Sequence, residues 1–217
     1  MKFRRWYYNL FSSFYDGFVR LHSRDAGASM RSFLAETAML DKGCTAVDLC
    51  TGTGSSAICM ARKDGVRVIG IDFSEKMLRQ AQRKSSGESG CFWVQADVTA
   101  MPLSSCSVDR VTCAYAMYEL SCDGRKGALE EAVRVLRPGG MFIMMEHLPP
   151  IRPLVKLFYL IRIYALGTSG VRSFAGSEEK ELIRFFEKIG TATAPGGKTK
   201  AVYGFKPGHG GQLPGRT

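Results

Sequence analysis

The sequence predicts an α/β fold built on a mainly parallel sheet. Two observations carry this. Short apolar runs alternate with helical patterns through the middle of the chain, which is the signature of βαβ units. The 217 residues, 45% hydrophobic and 23% charged, suffice for one ordinary domain with a sizeable core and are too ordered in composition for a disordered chain.

Taken in order, strands are expected at Thr45–Leu49, Val66–Ile71, Cys91–Gln95, Val108–Ala114 and Met141–Glu146. Helices are expected between them at Ser55–Lys63, Glu75–Lys84 and Arg125–Leu136. Ser74 is placed to cap the second of these. The third should stop at Arg137-Pro138-Gly139-Gly140, where proline ends a helix and the glycine pair turns the chain into the next strand. A further helix is expected at Ser177–Ile189, opening on an acidic run, and a last strand at Thr199–Phe205 after a Pro-Gly-Gly turn. Two segments lie outside the alternation. Tyr7, Leu10, Phe11, Phe14, Phe18 and Leu21 recur at helical spacing on a basic N-terminal helix, and 151–165 has one apolar face including Phe158.

The formal net charge is +10, which raises the question of a polyanionic partner. Its location answers part of that question. Residues 1–31, 151–172 and 196–217 each carry a net +4, so the rest of the chain is slightly acidic. The basic character belongs to flanking segments. The seven cysteines form no CxxC pair and sit near no histidine at zinc spacing, so reduced thiols in a cytoplasmic protein and no metal site are expected. No apolar run approaches the roughly 18–20 residues that span a bilayer, and the aromatic N-terminus lacks a signal-peptide core.

The chemistry is concentrated at three strand ends. In AVDLCTGTGSS an apolar strand ends near Asp48, and a turn containing Gly52 and Gly54 opens a helix. Glycines there let backbone approach a ligand closely. Asp72 ends the second strand, 18 residues after Gly54, where a carboxylate can accept ribose hydroxyls. Asp97, in QADVTAMP, ends the third and can hold an exocyclic amine such as that of adenine. Three acids at successive strand ends fit an adenosine ligand. No Arg or Lys follows the turn to hold a pyrophosphate, which favours a nucleoside over NAD or ATP.

VDLCTGTG, IDFSEKML, QADVTAMPL, SVDRVTCAYAMYEL and LRPGGMFIMMEH, in this order, resemble the class I S-adenosylmethionine-dependent methyltransferases, and most closely their ubiquinone/menaquinone C-methyltransferase-like branch. The resemblance runs from about residue 8 to residue 205. It implies a Rossmann-like seven-stranded sheet, mostly parallel with an antiparallel last strand and helices on both faces. It implies S-adenosyl-L-methionine as cofactor and S-adenosyl-L-homocysteine as product. The methionine part would then be held by Asp48, Cys50, Thr51, Gly52, Thr53 and Gly54. The adenosine would lie by Asp72, Phe73 and Met77, with Asp97 and Val98 flanking adenine. Ala114, Tyr115 and Ala116 would face cofactor and substrate, and Tyr15-Asp16 resembles a family pair on a helix that helps close the site. The expected organisation is a single domain over 1–205, with 1–40 as helical cover, 41–147 as cofactor-binding core and 148–190 as substrate-lid helices. Residues 206–217 would be a flexible tail.

Two departures separate the cofactor question from the acceptor question. Cys50 stands at the first glycine of the Asp-x-Gly-x-Gly-x-Gly pattern, where a small residue suffices. Ala116-Met117-Tyr118-Glu119 replaces the Gly-Leu-Arg-Asn-like signature of the quinone enzymes. The expected acceptor is therefore a small apolar or amphipathic molecule, quinone-like or lipid-like. Tyr15, Tyr115, Tyr118 and Phe158 are the candidate substrate contacts, with core packing as the alternative for each aromatic. Glu119 and His147, at or just past strand ends, are the candidate bases, and each has a structural reading beside it. The basic, aromatic flanks suit peripheral contact with a membrane surface. A phospholipid amine N-methyltransferase remains open. So does an RNA- or protein-modifying one, although no Asn-Pro-Pro-Tyr-like tetrapeptide or appended RNA-binding domain supports it.

Overall fold

The structure is a computed structural model that describes residues 26–148, 177–197 and 199–208. Helix α1 (Ala26–Thr37) leads into β1 (Thr45–Leu49), α2 (Ser55–Ala61), β2 (Arg67–Asp72), α3 (Glu75–Lys84), β3 (Cys91–Gln95) and β4 (Val108–Ala114). A 3-10 turn, Met117–Glu119, then precedes α4 (Cys122–Val135), β5 (Leu136–His147), α5 (Glu178–Leu182), β6 (Glu187–Thr193) and β7 (Thr199–Phe205). The strands form one seven-stranded sheet in the order β3-β2-β1-β4-β5-β7-β6. β1 to β5 run parallel, and β7 lies antiparallel between β5 and β6. The Rossmann-like expectation is met.

The sheet separates two apolar layers, because successive strand residues face opposite sides. On one side Leu34, Ala57 and Met60 pack on Ala46, Val68, Ile143 and Met145. On the other, Leu129, Ala132, Leu182 and Phe186 pack on Val47, Leu49, Val111 and Phe142. Phe142 and Phe186 stack there with ring centroids 5.3 Å apart. Helix α3 starts as its sequence directs: Ser74 caps it by accepting from the Met77 N–H at 3.4 Å.

Three elements differ from expectation. Helix α4 begins at Cys122, three residues early, because Ser121 Oγ accepts from the Gly124 N–H at 3.1 Å and so holds a glycine in the first turn. Residues 137–140 do not form a separate turn. Strand β5 starts at Leu136, and the register against β4 jumps from Val108↔Leu136 to Arg110↔Met141, so the proline and glycines make a bulge. The helix expected over Ser177–Ile189 is corrected most. It stops at Leu182, and Glu187–Thr193 pairs with β7 as the edge strand β6. Pairing overrides the local helical signal: a Cβ on Gly190 would come within 2.4 Å of the Tyr203 ring, so only glycine lets the two strands meet there. The aromatic stripe of the N-terminus, the 151–165 helix, Tyr15 and Phe158 lie outside the described residues.

Candidate functional site

Strand order reverses between β1 and β4, with β2 and β3 extending to one side and β5 to the other. Crevices outside the carboxyl ends of strands at such a reversal bind ligands in open α/β sheets. The turn after β1 sits at this point. Cys50 takes a left-handed conformation (φ 52°), as do Gly52 (56°) and Gly54 (75°). Position 50 thus has the geometry that favours glycine, which accounts for the common pattern. The Cys50 thiol lies in hydrogen-bonding contact with the buried Cys113 of β4, whose pKa that contact and burial push well up.

The two glycines answer different needs. A Cβ on Gly54 would meet the Trp93 ring at 2.4 Å and Ala81 at 2.8 Å. Nothing lies within 4 Å of the same point on Gly52. Gly54 serves packing, and Gly52 opens a cradle. Thr51 N–H donates to Ile71 O at 3.0 Å, and Gly52 N–H donates to Asp72 Oδ2 at 2.8 Å, so the turn is clasped to the end of β2. Lys84, at the end of α3, donates to Thr53 Oγ1 (2.9 Å) and Ser55 Oγ (2.7 Å). A cation therefore does reach the turn, from a residue that sequence order hides.

Asp48 is buried and accepts from Thr51 Oγ1 at 2.6 Å and Thr112 Oγ1 at 2.7 Å. Burial pushes its pKa up to about 6, while the two hydroxyls hold it down. Thr112 is a site residue that sequence reading missed, because only the β1–β4 pairing brings it opposite Asp48. Asp72 is also buried, and burial raises its pKa against bonds from the Gly52, Phe73 and Ser74 N–H groups. A carboxylate has about four lone-pair sites. The three bonds leave about one site free to accept a hydroxyl from a ligand. Asp97 is exposed, and its Oδ1 accepts from Thr99 N–H (2.9 Å) and Oγ1 (2.8 Å). Met77 and Val98 are buried, whereas Phe73 is exposed at the end of β2.

Ala114 ends β4, and Tyr115 follows at φ 56°, a second strained non-glycine residue beside Cys50. Its N–H donates to Met145 O at 2.8 Å, and its hydroxyl is 3.1 Å from Thr199 Oγ1. Tyr118 and Glu119 lie half-buried on the 3-10 turn. His147 is the last residue of β5, in register with Thr199. The neighbour that sequence reading passed over is Glu146, which is 4% exposed and has a pKa pushed up to about 8, chiefly by burial. Its position at the end of an apolar strand gave no sign that the side chain turns inward. The described residues contain no cluster of three or more His, Cys, Asp or Glu fit to hold a metal. None of their helices is long and apolar enough to cross a membrane.

The open cradle at Gly52 and the buried acids beside it fit a nucleoside cofactor. Comparison with known proteins gives the family. Residues 46–140 match a methyltransferase domain family. A demethylmenaquinone methyltransferase of Clavibacter sepedonicus is 36% identical over 126 residues, covering 58% of this chain and 50% of that one. One from Staphylococcus epidermidis (strain RP62A) is 30% identical over 168 residues, covering 76% and 69%. The chain thus spans half the length of the first relative and about two thirds of the second. Among solved structures, an S-adenosylmethionine-dependent methyltransferase of Thermotoga maritima superposes with a TM-score of 0.70 over 93% of this chain and 99% of its own, at 20% identity, which is a likeness of fold. The chain belongs to the S-adenosylmethionine-dependent methyltransferases.

Proposed function

We propose that this protein transfers a methyl group from S-adenosylmethionine to a small apolar or amphipathic acceptor of the quinone or lipid type. The observation that carries this reading is the cradle at Gly52, open to a ligand and clasped by Asp72 at the sheet's reversal point. In this reading Asp72 meets the ribose and Asp97 and Val98 flank the adenine. Phe73 and Met77 lie beside the adenosine. Asp48 and the 50–54 turn receive the methionine part, with Ala114 and Tyr115 beyond it. The acceptor lies by Tyr115 and Tyr118, with Tyr15 and Phe158 supplied by the flanking segments. The cofactor supplies a methyl already activated on sulfur. The chain's share is alignment and exclusion of water, and alignment is worth up to roughly 7–11 kcal/mol of a barrier.

The names of the curated relatives support a quinone-like acceptor, and the basic flanks support approach to an anionic membrane surface. Calorimetry with S-adenosylmethionine tests the cofactor, and Asp72→Ala is expected to weaken binding at least tenfold. Release of S-adenosylhomocysteine with a reduced short-chain naphthoquinone tests the acceptor. Turnover on detergent-dispersed phosphatidylethanolamine instead would move the assignment to amine N-methylation. Unchanged affinity in Asp72→Ala would overturn the placement of the ribose.

A further inference from the structure

Glu146 shares a sheet face with Phe142 and Met144, two residues of the apolar core. It is 4% exposed, and its Oε1 has no hydrogen-bond partner among the described residues. Backbone N–H groups of Met117 and Tyr118 point at the carboxyl from the turn after β4. Glu119 faces it from the same turn and Glu178 from α5, and the Cys113 thiol of β4 senses it. Lys200 of β7 stands opposite Glu146 in register, yet its amine is committed to Glu178 at 3.0 Å. A buried carboxyl that has a vacant oxygen and no cation of its own among the described residues is costly, and an apolar side chain would fill this place at less expense. It also stands at the carboxyl end of β5, beside the segment that leads from Ala114 to Glu119.

We propose that Glu146 is the acid–base residue of the methyl transfer, taking the proton that a hydroxylated aromatic acceptor loses as it is methylated. This rests on the methyl-transfer reading above. The new bond forms from the acceptor atom to the methyl carbon. The methyl–sulfur bond breaks with both electrons remaining on sulfur. The acceptor's proton passes to Oε1 of the ionised carboxyl, which later releases it to water. The positive charge on sulfur and the negative charge on the carboxylate disappear together. Burial first, then repulsion from Glu178, lifts the group to about 8, which makes its carboxylate a far stronger base than an ordinary one and brings it closer to a phenol near 10.

Glu146→Gln keeps an oxygen for the Met117 and Tyr118 N–H groups and removes the exchangeable proton. Turnover of reduced short-chain naphthoquinone by the wild-type protein should rise with pH to a plateau above about 8. The variant should lose at least about 100-fold in kcat together with that rise, while its affinity for S-adenosylmethionine by calorimetry stays within about twofold. In the ligand-free wild-type protein, carbon-13 NMR of side-chain-labelled glutamate should show a titration near 8 that is missing from the variant. Should the Gln variant fail to fold, Glu146→Asp gives the same test, with turnover reduced and the pH limb displaced. A variant that keeps full turnover with an unchanged limb overturns the proposal. So does the absence of a titration near 8, or cofactor binding without turnover of the hydroquinone. Absence of cofactor binding by the wild-type protein overturns the methyl-transfer reading itself.

Discussion

Gly52 and Gly54 are two residues apart and both have positive φ, yet one side chain added at each should have opposite consequences. Gly54→Ala drives a methyl into Trp93 and Ala81, and a loss of roughly 2–4 kcal/mol in urea unfolding is expected. Gly52→Ala meets nothing, so its cost is limited to the left-handed backbone, about 1 kcal/mol. Its effect should appear in calorimetry as weakened S-adenosylmethionine binding. Glu146 gives a prediction with a definite sign. Its native pKa of about 8 stands above the usual 4.5, so the folded protein binds the extra proton between those values. Stability from this group is full below about 4.5 and falls as pH rises towards 8. Glu146→Gln should therefore gain on the wild type by roughly 1–4 kcal/mol between pH 5 and pH 8.5 in urea unfolding, and no gain would refute the buried, neutral acid. Asp48, Asp72 and the glycine turn were readable because their spacing alone puts them at strand ends. Thr112 and Glu146 were not, since their importance depends on what faces them across the sheet.

At the scale of elements, α4 and α5 are joined through Arg125, which is 1% exposed. Its guanidinium donates to Leu120 O at 2.9 Å and pairs with Glu181 Oε2 at 3.3 Å. Arg125→Ala removes the stem as well as the charge, and a loss of about 2–4 kcal/mol is expected in thermal or urea unfolding. A loss below 0.5 kcal/mol would mean that the two helices are held by their apolar faces alone. Most strands were legible from apolar runs bounded by turns. Strand β6 was not, because its residues alternate only between half-buried and exposed and its acidic lead-in reads as a helix start. A strand that pairs on one side with β7 carries little hydrophobic signal of its own. The register shift near Lys188, itself at φ 52°, blurs the period further.

For the whole molecule, the site is a product of topology. The parallel order from β3 to β5 brings the ends of β1, β2 and β4 together, so residues spread from 48 to 146 share one edge. Binding there should stabilise the entire fold by mass action. With S-adenosylmethionine at 100 times its dissociation constant, about 2.7 kcal/mol is expected, seen as a raised Tm by calorimetry. Asp72→Ala, at least tenfold weaker in binding, should lose at least about half of that rise at the same ligand concentration. The near-neutral middle and basic flanks place the +10 charge around this edge in sequence, not within its cofactor-holding part.

The ring that fills the space over Gly54 and Gly70 has a practical use. Trp93 is one of two tryptophans in the chain, the other being Trp6, and its indole N–H is tied to Ser85 Oγ at 3.1 Å. The protein therefore carries its own fluorophore against the back of the cofactor turn. In a Trp6→Phe background, emission from Trp93 alone would report each ligand that moves this loop, in solution and without a label. That offers a direct optical screen for what the site accepts.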